Sequence, residues 1–359
     1  MCDPRGAEKC LLPSMQQITP TIGRIPVDAF RLEPKDEYPH QPDASANFNE
    51  SVYTNAFDPA QRVGGWMRLG NRVNEGYAEL SVCLYLPDGR VACQFQRPPI
   101  TTNERFDAGG LRYDVVDPLR RVDMRYDGEL MVLDDPQMLR TPETMFARAT
   151  KVPGAVRWEH TGRTPLHGGE PTSADVPTMY GRDFSRGHFN QHTAVKGTIT
   201  VGDQSWTIDG AGWRDHSWGP RYWQVIHYYR LFIANFDDGR ALMLLKIADR
   251  SGHARRVGVL LVDGQYEDIV DLDVVTDWSA RQDPARIRLG VRTTRRAAQI
   301  EGEVLTVAPL RNRRRVDGET LVSRIAEGFT RFTWDGAVGY GMSEYIERLE
   351  DGHPVGYPL

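Results

Sequence analysis

Turn-forming residues interrupt the chain at short intervals from Gly64 onward, and this rhythm limits the possible folds more than any other feature. Asp88-Gly89, Asp127-Gly128, Gly202-Asp203 and Asp238-Gly239 each separate short runs rich in β-branched and aromatic residues. An Asp-Gly pair supplies the positive-φ position of a tight hairpin, because glycine has no Cβ to clash there. With 34 glycines and 23 prolines, little room remains for long amphipathic helices. Thr141-Pro-Glu-Thr144 places proline directly after a capping residue and predicts a short helix over 142–149. The expected fold class is all-β, with antiparallel up-and-down strands of the sandwich or barrel kind and few short helices.

A chain of 359 residues is too long for one ordinary core, so two β-domains in tandem are expected. Residues 1–24 read as a flexible leader, 25–182 as the N-terminal β-domain and 183–359 as the C-terminal β-domain carrying the site. In the first, strands are expected at 65–69, 77–86, 91–96, 111–116, 120–126 and 129–133, with Asp127-Gly128 as a turn. Residues 151–182 have little periodicity and mark the end of that half. The long run 222–236 is the most prominent strand of the second half. Arg311-Asn-Arg-Arg-Arg315 is the dense basic cluster of the chain. It reads as a solvated turn between strands, the other reading being an anion or nucleic-acid contact.

Several function classes drop out. A net charge of −5 argues against a general nucleic-acid partner, which needs a basic face for phosphates. No window offers the ~20 apolar residues of a membrane span, although peripheral contact stays open. Residues 1–30 lack a secretory apolar stretch, and the expected address is cytoplasmic. Cys83 and Cys93 flank the turn at Pro87-Asp-Gly-Arg90; in that compartment they are expected as reduced thiols. There is no Cys-x-x-Cys pair, no phosphate-binding glycine loop and no Gly-x-Ser-x-Gly elbow, so neither metal nor cofactor is expected. Oligomeric state is left open.

The chemistry concentrates in residues 206–230. From Trp213 to Trp223 the chain packs an aspartate, a histidine, two arginines and three tryptophans, bracketed by Gly212 and Gly219-Pro220. A carboxylate among indole rings can be raised by desolvation into a proton donor, whereas Arg214 beside it opposes that shift. On an extended segment Asp215 and Ser217 face one way, His216 and Trp218 the other. Downstream, Val225, His227, Tyr229 and Leu231 are expected on one strand face, offering a proton relay beside apolar surface. His192 and Glu344 are further candidates for the same cavity. The alternative structural reading is a hydrogen-bonded barrel corner. A metal held by Asp215, His216, His192 and His227 is the minor reading, since unliganded histidines near one another are ordinary.

Asp215-His216-Ser217-Trp218-Gly219 resembles the Asp-His-x-Trp-Gly signature of the double-lipocalin-like superfamily. That superfamily includes carotenoid hydratase (hydroxyneurosporene synthase), AttH-like proteins and the fungal decalin-forming Diels–Alderases. His188-Phe-Asn-Gln-His192 and Gly210-Ala-Gly-Trp-Arg-Asp-His-Ser-Trp-Gly-Pro-Arg221 resemble most closely its uncharacterised bacterial members. The resemblance implies two lipocalin-like domains, the site lying in the C-terminal barrel. It also implies a cofactor-independent lyase or isomerase (hydratase, dehydratase, isomerase or cyclase) acting on a hydrophobic terpenoid- or steroid-like alkene. On this reading Asp215 donates the proton, His216 or His227 orients it, and Arg221 and Arg214 set the field. Trp213, Trp218, Trp223, Tyr229, His192 and Glu344 bind the substrate. Ser217 stands where the hydratase branch often has Glu or Gln. The other expectation is a non-catalytic carrier of a hydrophobic small molecule.

Overall fold

The computed structural model describes residues 29–357 apart from Pro177, Arg182, Asp183 and Asp317, so the leader expected over 1–24 lies outside the described residues. Two closed barrels dominate. The first is built from Phe48–Asp58, Val63–Arg72, Tyr77–Tyr85, Val91–Gln96, Arg121–Leu133, Thr150–Gly162, Gly187–Val201 and Gln204–Pro220. Each strand pairs antiparallel with the next in the chain, and Gln204–Pro220 returns to pair with Phe48–Asp58. The second barrel runs from Tyr228–Phe236 to Ala337–Glu350 in the same up-and-down order and closes by pairing those two strands. Closure leaves no open edge among the barrel strands, which removes a template for aggregation.

The domain division therefore falls between Pro220 and Tyr228, not at 182/183 as the sequence led us to expect. Residues up to Gly162 supply only six barrel strands, and the gap is closed by the hairpin of Gly187–Val201 with Gln204–Pro220. The strand Thr150–Gly162 escaped sequence reading because Pro153 and Gly154 break its pattern, yet they pair with Glu129 and Gly128. For the same reason Asp127-Gly128 is no turn. The strand Arg121–Leu133 runs straight through it, and the Tyr126 hydroxyl lies 2.5 Å from where a Cβ on Gly128 would sit. The cluster 311–315 is also strand rather than turn, as part of Ala297–Val316. The expected helix forms over Pro142–Arg148, and the Pro87-Asp-Gly-Arg90 hairpin forms with Gly89 at φ 87°. Cys83 and Cys93 face each other across it as buried free thiols, and burial pushes Cys93 up to about 12.

Alternation along each strand sends one set of side chains into a barrel and the other set outward. Val52, Met67, Leu69, Val82, Met124, Trp158 and Ile199 fill the first barrel; Phe232, Leu244, Leu260, Leu289 and Phe332 fill the second. An eight-stranded barrel is just wide enough for such packing. The outward sets are apolar too where the barrels meet. Phe57 stacks on Phe329 with ring centroids 4.4 Å apart, and the Tyr85 hydroxyl donates to the Glu327 carbonyl at 2.8 Å. Such a ring pair adds about 0.5–1.5 kcal/mol beyond its buried area. Double-sided burial explains the long apolar run of Tyr228–Phe236: Phe232 and Ala234 point inward, Leu231 and Ile233 toward the first barrel.

Candidate active site between the barrels

The outer walls of the two barrels enclose a cavity of about 510 Å³. The cavity thus lies at the seam between the barrels, whereas the expected pocket lay in a barrel lumen. The strand Gln204–Pro220 contributes Trp213, Asp215 and Ser217 from its outer face, while Tyr229, Glu327 and Glu344 come from the second barrel. Arg221, Trp223, Tyr180 and Phe184 border the cavity from connecting segments. Gly219 lets the chain leave the first barrel here: at φ 120° a Cβ would meet the Arg186 backbone nitrogen at 2.6 Å.

Glu327 and Glu344 sit opposite one another on paired strands, so two carboxyls share one water-poor wall. Burial raises both, and the charge of Glu344 raises Glu327 further. Burial, with the charge of Asp215 second, takes Glu344 to about 7, and Glu327 rises well above the ordinary carboxylate range. Like charges this close cannot both ionise cheaply, so the pair retains a proton near neutrality. The Tyr229 side chain adjoins Glu344 and stacks with Tyr180 at 6.2 Å; burial pushes both phenols up. On the facing wall Nε2 of His188 stands 3.1 Å from Oδ2 of Asp215. The Arg221 guanidinium lies 4.2 Å over the Phe184 ring and donates to Ser217 Oγ at 2.6 Å. Burial first, then Arg68 and Arg72, pushes Arg221 down to about 9. A carboxyl pair that retains a proton, Asp215 contacted by His188, and aromatic faces thus meet at one cavity, the set needed to protonate an alkene and stabilise the resulting cation.

Of the residues singled out in the sequence, Asp215, Trp213, Ser217, Trp223, Tyr229, Leu231, Glu344 and Arg221 converge on the cavity. His192, Arg214, His216, Trp218, Val225 and His227 do not. His216 and Trp218 point to the opposite face of their strand, as alternation requires. His216 Nε2 lies 2.9 Å from Glu50 Oε1, which also sits 2.6 Å from His40 Nδ1, and the His40 ring stacks on Trp218 at 4.0 Å. Arg214 shares that face, bound to Glu37, Gln191 and Tyr113. Val225 lies in the 3-10 turn Trp223–Val225, and His227 precedes the strand Tyr228–Phe236 without bordering the cavity. His192 is buried beside it, driven down to about 3 by burial. The four residues weighed as metal ligands therefore do not converge. Among the described residues His40, Glu50 and His216 come closest to that pattern, and there Glu50 bridges the two imidazoles by hydrogen bonds. His216→Asn is expected to lower the melting temperature, costing about 1–3 kcal/mol for a broken buried bond, while kcat stays within about threefold. Thermal unfolding and steady-state rates check this.

The sequence motif His188–His192 contains His188 but gives it no role, and nothing in the sequence points to Glu327. His188 pairs in register with Ser217, so it shares the outer face with Asp215 only once that pairing is known. Glu327 carries no local signal; its partner lies on the next strand.

A model of the family described as "Domain of unknown function (DUF7064)" matches residues 33–348. The chain belongs to that family. Among solved structures it is similar to a putative AttH from Nitrosomonas europaea, with TM-score 0.62 and 17% identity over 90% of this chain and 98% of that one. It is also similar to CghA crystallised with Sch210972, with TM-score 0.52 and 12% identity over 90% and 97%. Kievitone hydratase from Nectria haematococca matches with TM-score 0.49 and 12% identity over 88% and 93%. At such identities the likeness shows the fold alone, two eight-stranded antiparallel barrels in tandem. None of the curated proteins matches this sequence. Among the described residues no helix is long and apolar enough to cross a membrane.

Proposed function

We propose that this protein is a cofactor-independent lyase or isomerase, of the hydratase or cyclase type, acting on an apolar small molecule in the cavity between its barrels. The observation carrying this reading is the Glu327–Glu344 pair on the cavity wall, opposite Asp215, which His188 contacts. Burying two carboxyls without a cation between them is costly, and stability gains nothing from it; a proton donor poised near neutral pH is what the cost yields. In the proposed cycle Glu344 gives its proton to a double bond of the bound substrate. Trp213, Trp223 and the carboxylates face the developing cation. Asp215, oriented by His188, or Glu344 itself then removes a proton or directs water, and the balance of those two paths decides between isomerisation or cyclisation and hydration. Terpenoid and steroid-like alkenes suit a cavity of this size and lining. The kinship with CghA and the AttH protein supports the architecture on which this reading rests.

Incubation of the purified chain with a panel of terpenoid and steroid alkenes, followed by mass spectrometry of products in ordinary and deuterated water, tests the proposal. Incorporation of one solvent deuteron at carbon is the expected result for protonation at an alkene. Ligands that bind, seen by thermal shift, but return unchanged would instead identify a carrier.

A further inference from the structure

Arg68, Arg97, Arg221, Arg314 and Glu79 border one flank of the cavity, with Arg72 and Glu75 next to them. Glu79 is half-buried, yet the charges of Arg68, Arg72, Arg314 and Arg97 outweigh the cost of its desolvation and hold its carboxyl at about 2. Glu75 contacts Arg72 and lies 3.7 Å from Arg314. Arg221 has no carboxylate partner within 4.0 Å among the described residues and instead feels the repulsion of Arg68 and Arg72. Arg314, which the sequence placed in a solvated turn, is half-buried in the strand Ala297–Val316 and borders the cavity, as do Arg68, Arg97 and Arg221. Arg97 is exposed and Phe146, also on the cavity, is 46% exposed, so this flank lies at the mouth. Deeper in, Phe95, Met145, Ile325 and Ile346 present an apolar surface.

Cations that outnumber their counter-charges at the mouth of a cavity lower the cost of binding an anion, and guanidinium groups are suited to flat oxyanions. We propose that the ligand of this cavity is an amphipathic acid whose carboxylate or comparable oxyanion docks on Arg68, Arg97 and Arg314 while its apolar skeleton reaches inward toward Glu344. This rests on reading the seam as the substrate site, and it deepens that reading by naming the polar end of the substrate. Docking the anion at the mouth fixes which end of the skeleton meets Glu344 and so makes the arginines specificity determinants.

Binding alone tests it. Calorimetry on the full chain compares dodecanoate, its methyl ester and dodecyl phosphate at low and high salt. Dodecanoate or dodecyl phosphate should bind at least about tenfold more tightly than the ester, with the margin shrinking in salt. Arg97→Gln and Arg314→Gln should each weaken the anion about five- to tenfold and leave the ester unchanged; Arg314→Lys should keep most of the preference if the glutamine variant folds poorly. Equal binding of anion and ester, indifference of anion binding to both arginine changes, or binding of none of the three overturns the proposal. No turnover is read, so a failed acid assignment at Glu344 leaves this result standing, and a charge-blind cavity leaves the acid assignment standing.

Discussion

Glu344→Gln is expected to slow turnover by about 10²- to 10⁴-fold, the usual worth of a positioned general acid, while ligand affinity stays within a few-fold. Glutamine keeps the shape and a hydrogen-bond donor but has no proton to give. The pH profile separates this from a merely structural role. Glu344 titrates at about 7, so the wild-type rate should be level below that value and fall above it as the proton is lost. A rate that rises through pH 7 would make Glu344 a base and reverse the proposed cycle.

The same proton ties activity to stability, with a definite sign. The unfolded glutamate ionises near 4.5, whereas the folded one holds its proton to about 7. Its stabilising contribution is therefore complete below about 4.5 and lost as pH rises through about 7, on the order of 2–3 kcal/mol. Melting temperatures measured from pH 5 to pH 8 should fall for the wild type, and Glu344→Gln should flatten much of that fall. Unchanged slopes in the variant would mean that Glu344 is already ionised at neutral pH, and the proton donor would have to be sought elsewhere.

The second large effect belongs to the scaffold. Glu37→Gln is expected to destabilise the protein by about 3–5 kcal/mol, because it leaves the buried Arg214 guanidinium without its carboxylate. Arg214 Nη1 lies 2.5 Å from Glu37 Oε1, and Glu37 also accepts from the Tyr113 hydroxyl at 2.9 Å and the Leu119 amide at 2.8 Å. These contacts pin the short turn Pro34–Glu37 and the Phe106–Asp117 hairpin to the end of the first barrel. Burial opposes ionisation of Glu37, but Arg214 outweighs it and holds the carboxyl below the usual range. Stability from this pair is thus present above about 4.5 and lost as pH falls through the depressed value, opposite in sign to Glu344. Denaturant unfolding at pH 7 measures the loss; a change below about 1 kcal/mol would show that the ion pair contributes little net stability. Because Arg214 faces away from the cavity, Glu37→Gln protein that remains folded should keep its kcat.

Much of this was open to reading from local pattern. The Asp-Gly and Gly-Asp turns, the β-rich runs and the proline-led helix at 142–148 are short-range devices, governed by φ preferences and capping that neighbours in sequence can satisfy alone. Period-two alternation likewise separated Asp215 and Ser217 from His216 and Trp218 before any coordinates. It failed at Asp127-Gly128 and at 311–315, where turn-prone or charged residues lie inside long strands because flanking strands hold them in register.

What the sequence determined by itself, then, is the hairpin grammar of an all-β chain and which residues of the signature strand share a face. Only the tertiary structure decided which barrel that strand completes, that both lumens are filled, and that a cavity lies at the seam. It alone set Glu327 beside Glu344 and His188 beside Asp215, and brought these across from each other. Barrel closure joins strands far apart in the chain, here 48–58 with 204–220 and 228–236 with 337–350, and no local periodicity encodes a partner at that distance.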